Sequence, residues 1–93
     1  MNNLKHKKEK LINAIQDLLK ALKTSNKTGP AEYYERLRSE INNISAFDEL
    51  TAKAKEITTS ASISQYADFD SLEENLFNRV YLEAKDILQV SRT

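Results

Sequence analysis

The chain has 93 residues, no net formal charge, 40% hydrophobic and 30% charged residues, and no cysteine. That composition fits one small globular domain and excludes a disordered chain, a disulfide framework and thiolate chemistry. No apolar run approaches the ~20 residues that span a bilayer, and the single glycine excludes a glycine-rich phosphate loop.

Leu, Lys, Glu, Ala, Gln and Arg fill long stretches interrupted by one Gly29-Pro30 pair, which reads as nearly all helix. Leu4, Leu11, Ile15, Leu18 and Leu22 recur at helical spacing, with Ile12 and Leu19 widening the stripe, and predict a first helix over 3–23. The basic start followed by Leu11-Ile12 resembles a signal peptide only superficially: Asn13, Gln16 and Asp17 interrupt its apolar region. The polar run 24–28 and then Gly29-Pro30 make the first corner.

A second helix is expected over 30–43, with Tyr34, Leu37 and Ile41 inward and Glu32, Arg36 and Glu40 forming an exposed ladder of alternating sign. Asn42-Asn43 weakens helix propensity, and Ser45 with Asp48 has capping-box spacing. The reading is therefore a third helix over 46–59, carrying Phe47, Leu50, Ala54 and Ile57, or else one bent helix over 30–59. Five hydroxyl residues within 58–64 favour a loop. Asp70, with Glu73 three residues on, reads as a capping box opening a fourth helix over 70–89. Leu72, Leu76, Val80, Ala84, Ile87 and Leu88 are expected on its buried side, bordered by Phe77 and Tyr81, and 90–93 is expected to fray. Short connections and one apolar face per helix imply an all-α, antiparallel, up-down-up-down four-helix bundle as a single domain over 1–93.

Charge is uneven along this neutral chain. Residues 1–27 carry seven lysines against Glu9 and Asp17, whereas residues 66–90 carry six acids against Arg79 and Lys85. The first and last helices are thus expected to lie side by side and attract. The sharper alternative is that Lys5, Lys7, Lys8 and Lys10 meet anionic lipid or another acidic partner.

Chemistry is sparse. His6, the one histidine, sits among lysines that repel a metal ion. The two Glu-x-x-His motifs of a di-iron bundle are missing. Glu73-Glu74, Asp48-Glu49 and the pair Asp68 and Asp70 lie near helix starts, where acids favour the dipole over acid–base work. No catalytic residue, metal site, cofactor or small-molecule substrate is expected. Zero net charge and an acidic fourth helix oppose nucleic-acid binding. Tyr33, Tyr66, Phe69 and Tyr81 border the core, where amphipathic aromatics serve recognition or simply roof the core. Internal ion pairing is the default for Arg79 and Lys85.

The amphipathic start Leu11-Ile12-Asn13-Ala14-Ile15-Gln16-Asp17-Leu18-Leu19, the Gly29-Pro30 break and the closing helix from Leu72 to Leu88 together resemble the immunity proteins of pediocin-like (class IIa) bacteriocins. The closest group is the enterocin A immunity family, in a streptococcal-type member. The resemblance implies a cytosolic antiparallel four-helix bundle, in part membrane-associated, that protects a bacteriocin producer. Its implied partner is the mannose-phosphotransferase permease with bound bacteriocin. It also implies recognition through the carboxy-terminal half, with Tyr66, Phe69, Arg79, Tyr81, Lys85 and Arg92 as candidate contacts. The alternative is a helical regulatory or adaptor module that binds a protein or nucleic acid through its basic first helix.

Overall fold

The computed structural model describes residues 3–59 and 69–91, with side chains described over 5–59 and 69–89. Four helices account for nearly all of them: α1 Asn3–Thr24, α2 Thr28–Asn42, α3 Phe47–Thr59 and α4 Ser71–Ser91. No strand occurs among the described residues. The expected all-α four-helix bundle is what forms. Residues 60–68, which include part of the expected hydroxyl-rich loop, lie outside the described residues, as do 92 and 93.

Each predicted helix is present, and the boundaries differ where local geometry differs from expectation. The first corner does not depend on Gly29-Pro30. Asn26 is the residue with positive φ, at 60°. The Lys27 N–H returns to the Leu22 carbonyl at 3.0 Å and the Asn26 N–H to the Lys23 carbonyl at 3.1 Å. This is a Schellman closure, in which a left-handed residue lets two N–H groups satisfy the helix's last carbonyls. Asn is among the few side chains that tolerate that conformation.

α2 then starts at Thr28, two residues before the expected Pro30. Gly29 and Pro30 both lie in its first turn, where the missing proline N–H has no intrahelical partner to lose. Gly29 has no positive φ, and nothing lies within 4 Å of a Cβ added there. Gly29→Ala should therefore stabilise the protein by about 0.4–1 kcal/mol in urea unfolding. Asn26→Ala should cost about 1–2 kcal/mol, because alanine is strained at that φ.

α2 and α3 are separate helices, not one bent helix. Asn43 caps α2, its N–H directed at the carbonyls of Ser39 and Glu40, at 3.3 and 3.2 Å. α3 begins at Phe47, one residue later than expected, with the Ala46 carbonyl accepting from the Leu50 N–H at 3.2 Å. Ser45 stands one position before that cap, so its spacing to Asp48 is not used. The Asp70 capping box forms as read: the Glu73 N–H donates to Asp70 Oδ1 at 2.8 Å, and the Asp70 N–H donates to a Glu73 carboxylate oxygen at 2.9 Å. α4 continues to Ser91, past the expected end at 89.

Ion pairs report the helix directions. Lys7 meets Asp86, Lys10 meets Glu83 at 3.7 Å, Asp17 meets Arg79 at 3.6 Å and Lys27 meets Glu73. Numbers rise along α1 as they fall along α4, so the two are antiparallel neighbours, as their opposite charge predicts. Lys53 on α3 reaches Glu40 on α2 at 2.6 Å, and the Tyr33 hydroxyl donates to Glu56 at 3.2 Å, again antiparallel.

One core runs through all four helices: Leu11, Ala14, Ile15, Leu18, Leu19 and Leu22 from α1; Ala31, Tyr34, Leu37 and Ile41 from α2; Leu50, Ala54 and Ile57 from α3; and Val80, Ala84 and Ile87 from α4. One expectation fails here. Leu72 is 61% exposed, and Glu73 is fully buried in its place. The inward line of α4 runs Glu73, Phe77, Val80, Ala84, Ile87, at spacings of four and three. One residue back is a rotation of about 100°, which turns Leu72 outward.

Candidate interaction surface

The lysines of α1 are largely used inside the molecule. Lys7 is bound to Asp86, Lys10 lies 3.7 Å from Glu83, and Lys8 Nζ donates to the Ile44 carbonyl at 2.5 Å, tying α1 to the connection between α2 and α3. Lys5 is exposed and lines a shallow groove with Lys8, Glu9, Ile12, Asn42, Ile44 and Ser45. His6 is exposed.

The candidates of the carboxy-terminal half divide between two places. Phe69 is half-buried, its ring 6.0 Å from that of Phe77, with the Lys27 ammonium 6.0 Å over its face. It roofs the core next to the start of α4. Arg79, Tyr81 and Lys85 lie further along. Arg79 is exposed and pairs with Asp17, Tyr81 is half-buried, and Lys85 is exposed with no ion pair among the described residues. Tyr66 and Arg92 lie outside the described residues.

Sequence reasoning missed Leu82, which is 56% exposed and lies between Arg79 and Lys85 on the outward face of α4. Asn78, Leu82, Lys85 and Gln89, all exposed, follow one another at helical spacing. Glu83 and Asp86 pair with lysines of α1 instead, and Glu73 with Lys27 of the α1–α2 connection. The outward face thus carries the exposed Leu82 and Lys85, with exposed Glu74 at its start and Arg79, paired with Asp17 of α1, at its edge. The signal was available in part, since Leu82 falls off the inward heptad line.

Glu73 is the second feature that sequence reasoning missed, as a buried charge although not as a cap. One oxygen, Oε1, accepts from both the Lys27 ammonium and the Asp70 N–H. Lys27 is also the residue preceding α2, and it makes no side-chain cap there, since an ammonium has only donors and cannot accept from the helix's free N–H groups. Oε2 is buried and has no hydrogen-bond partner. Burial pushes the carboxyl up, but Lys27, the Asp70 N–H and the proximity of Ser25 outweigh it, and the pKa lies below the ordinary carboxylate value.

Lys53 likewise holds Glu40 low, and Arg38 does the same for Glu35. With folded pKa values depressed, the unfolded chain takes up protons first on acidification. Stability should be constant above the ordinary glutamate pKa of about 4.3 and fall as pH drops through the lower folded values. Urea midpoints measured at intervals from pH 7 to pH 3 check the sign; a stability maximum below pH 4 would contradict it.

No group of three or more His, Cys, Asp or Glu side chains able to hold a metal ion occurs among the described residues. None of the described helices is long and apolar enough to cross a membrane. No protein-family model matches the chain, and neither a curated protein nor a solved structure matches it.

Proposed function

We propose that this protein is an immunity protein of the pediocin-like bacteriocin type. It acts by binding, without turnover, on the cytosolic side of the mannose-phosphotransferase permease once that permease holds bacteriocin. The sequence resemblance is the starting point, and the four-helix bundle is the fold it implies. The observation that carries the reading to a surface is the outward face of α4, where Leu82 is exposed with Arg79, Tyr81 and Lys85 around it. Exposed apolar side chains rimmed by polar and aromatic groups are how contact surfaces are built.

The regulatory-module alternative has less support, because Lys7, Lys8 and Lys10 already have acceptors within the molecule. Salt-sensitive partner binding that is lost when Lys5, Lys7, Lys8 and Lys10 are replaced would favour it instead.

Expression in a bacteriocin-sensitive strain tests the proposal. Resistance to one narrow group of class IIa peptides is expected, and a Leu82→Ser, Lys85→Glu variant should lose it while keeping the thermal midpoint of the parent. Unchanged killing across a panel of class IIa peptides sinks the proposal. Exchanging residues 46–93 with those of an immunity protein of different specificity should transfer the specificity; transfer with residues 1–45 would move the recognition surface off α4.

A further inference from the structure

Three of the four seams of the bundle bring their helix backbones close together. α1 lies close along both α2 and α4, and α3 lies close along α4. The α2–α3 seam is built differently. The two backbones seldom come within 8 Å of each other, and side chains of polar and charged residues bridge the gap. Lys53 Nζ lies 2.6 Å from Glu40 and 3.5 Å from Glu56. The Tyr33 hydroxyl donates to Glu56 at 3.2 Å, and the Arg36 guanidinium lies 5.6 Å over the Tyr33 ring. Lys53, Glu40, Glu56 and Tyr33 are all partly exposed. Behind them are buried apolar side chains from both helices: Leu37 and Ile41 on α2, and Leu50, Ala54 and Ile57 on α3.

Burial of apolar surface supplies most of the free energy that holds helices together, whereas exposed ion pairs supply little and are screened by salt. A bundle with three seams of close backbone packing and one seam of distant backbones bridged by partly exposed ion pairs is weakest at the bridged one. The short connection over residues 43–46 ties that seam at one end. At the opposite end, near Tyr33 and Glu56, the chain order leads from α2 back to α1 and from α3 on towards α4, so no direct connection joins α2 to α3 there.

We propose that the bundle opens along the α2–α3 seam, hinged at residues 43–46, while the α1–α4 spine stays closed. Opening uncovers an apolar cleft lined by Leu37, Ile41, Leu50, Ala54 and Ile57. Lys53 is the latch, since among the described residues it alone holds an acid on each side of the seam, Glu40 on α2 and Glu56 on α3. The Lys53 pairing keeps the Glu40 carboxyl ionised and raises the ammonium pKa of Lys53, so the latch stays charged across the neutral range and responds to ionic strength rather than to pH. The ion pairs between α1 and α4 are screened in the same way, but the backbones of those two helices lie close along each other.

The chain offers a natural set of probes, one buried alanine per helix: Ala14, Ala31, Ala54 and Ala84. There is no native cysteine, so single Ala→Cys variants report opening through their rate of reaction with a maleimide under native conditions. Ala54→Cys should react at least about tenfold faster than Ala14→Cys and Ala84→Cys. Adding Lys53→Met, or raising NaCl to about 1 M, should speed Ala54→Cys several-fold and leave Ala14→Cys and Ala84→Cys unchanged. A common rate for all four positions overturns the proposal, since it means that the core is reached only by global unfolding.

Hydrogen exchange on the unsubstituted chain guards against cysteine variants that fold poorly. Amides of Leu37 and Ala54 should exchange at least about tenfold faster than those of Ile15 and Val80. Equal protection across the four helices also overturns it. Both measurements are independent of bacteriocin protection, so failure of either reading leaves the other standing.

Discussion

Lys27→Met should destabilise the protein by about 2–3 kcal/mol, as measured by urea denaturation at pH 7. Removing one partner of a buried ion pair costs about 3–5 kcal/mol, because the other charge is left uncompensated. The lower figure expected here reflects the partial exposure of Lys27; Glu73 is the fully buried member. Oε2 of Glu73 already lacks a hydrogen-bond partner, and the Asp70 N–H that remains on Oε1 is a neutral donor that leaves the buried charge uncompensated. The distinguishing result is the rescue. Adding Glu73→Gln to Lys27→Met should recover more than half of the loss, because glutamine keeps the capping box with Asp70 and removes the buried charge. If the double variant is less stable than the single one, the Lys27–Glu73 pair is not what the site depends on.

Leu18→Ala should cost about 3 kcal/mol, within the range for a buried leucine truncated to leave a cavity. Leu18 is fully buried on α1, the helix that packs against both α2 and α4, so few neighbours are free to collapse into the space. For a domain of this size the loss corresponds to a fall in thermal midpoint of roughly 12–24 °C. Leu82→Ala, made on the outward face of α4, should change stability by less than about 0.5 kcal/mol. The contrast is the test: comparable losses at the two positions would mean that Leu82 is covered in solution.

The adjacency of α1 and α4 was legible because charges of opposite sign are concentrated in the two segments, and such pairs need no particular local geometry to be anticipated. The Asp70–Glu73 cap was legible because its spacing is its mechanism. Other features were hidden because their causes are not local. Glu73 points inward because it meets Lys27, 46 positions away in the chain, and no periodicity of hydrophobic residues reports that. Ranking α4 by apolar character alone put Leu72 inside, although the helix turns it out. At the first corner, Gly29-Pro30 is the louder signal, yet both residues are helical and Asn26 makes the turn; asparagine tolerates positive φ without demanding it, so its role depends on the hydrogen bonds around it. Of the candidate contacts, Arg79 and Lys85 were found by charge, but the exposed Leu82 between them needed the rotation of α4 about its axis.

The Lys7–Asp86 pair joins positions 79 apart, at one end of the interface between the earliest and latest helices of the chain. During synthesis, α1 emerges with an apolar stripe whose main cover, α4, has not yet been made. At a translation rate of about 5–20 residues per second, that stripe waits several seconds for its cover. α2 shields one flank of it early, so an α1–α2 hairpin is the first structure able to hide part of it. The remaining flank is where a chaperone would be needed most, and where truncated chains ending before α4 would aggregate.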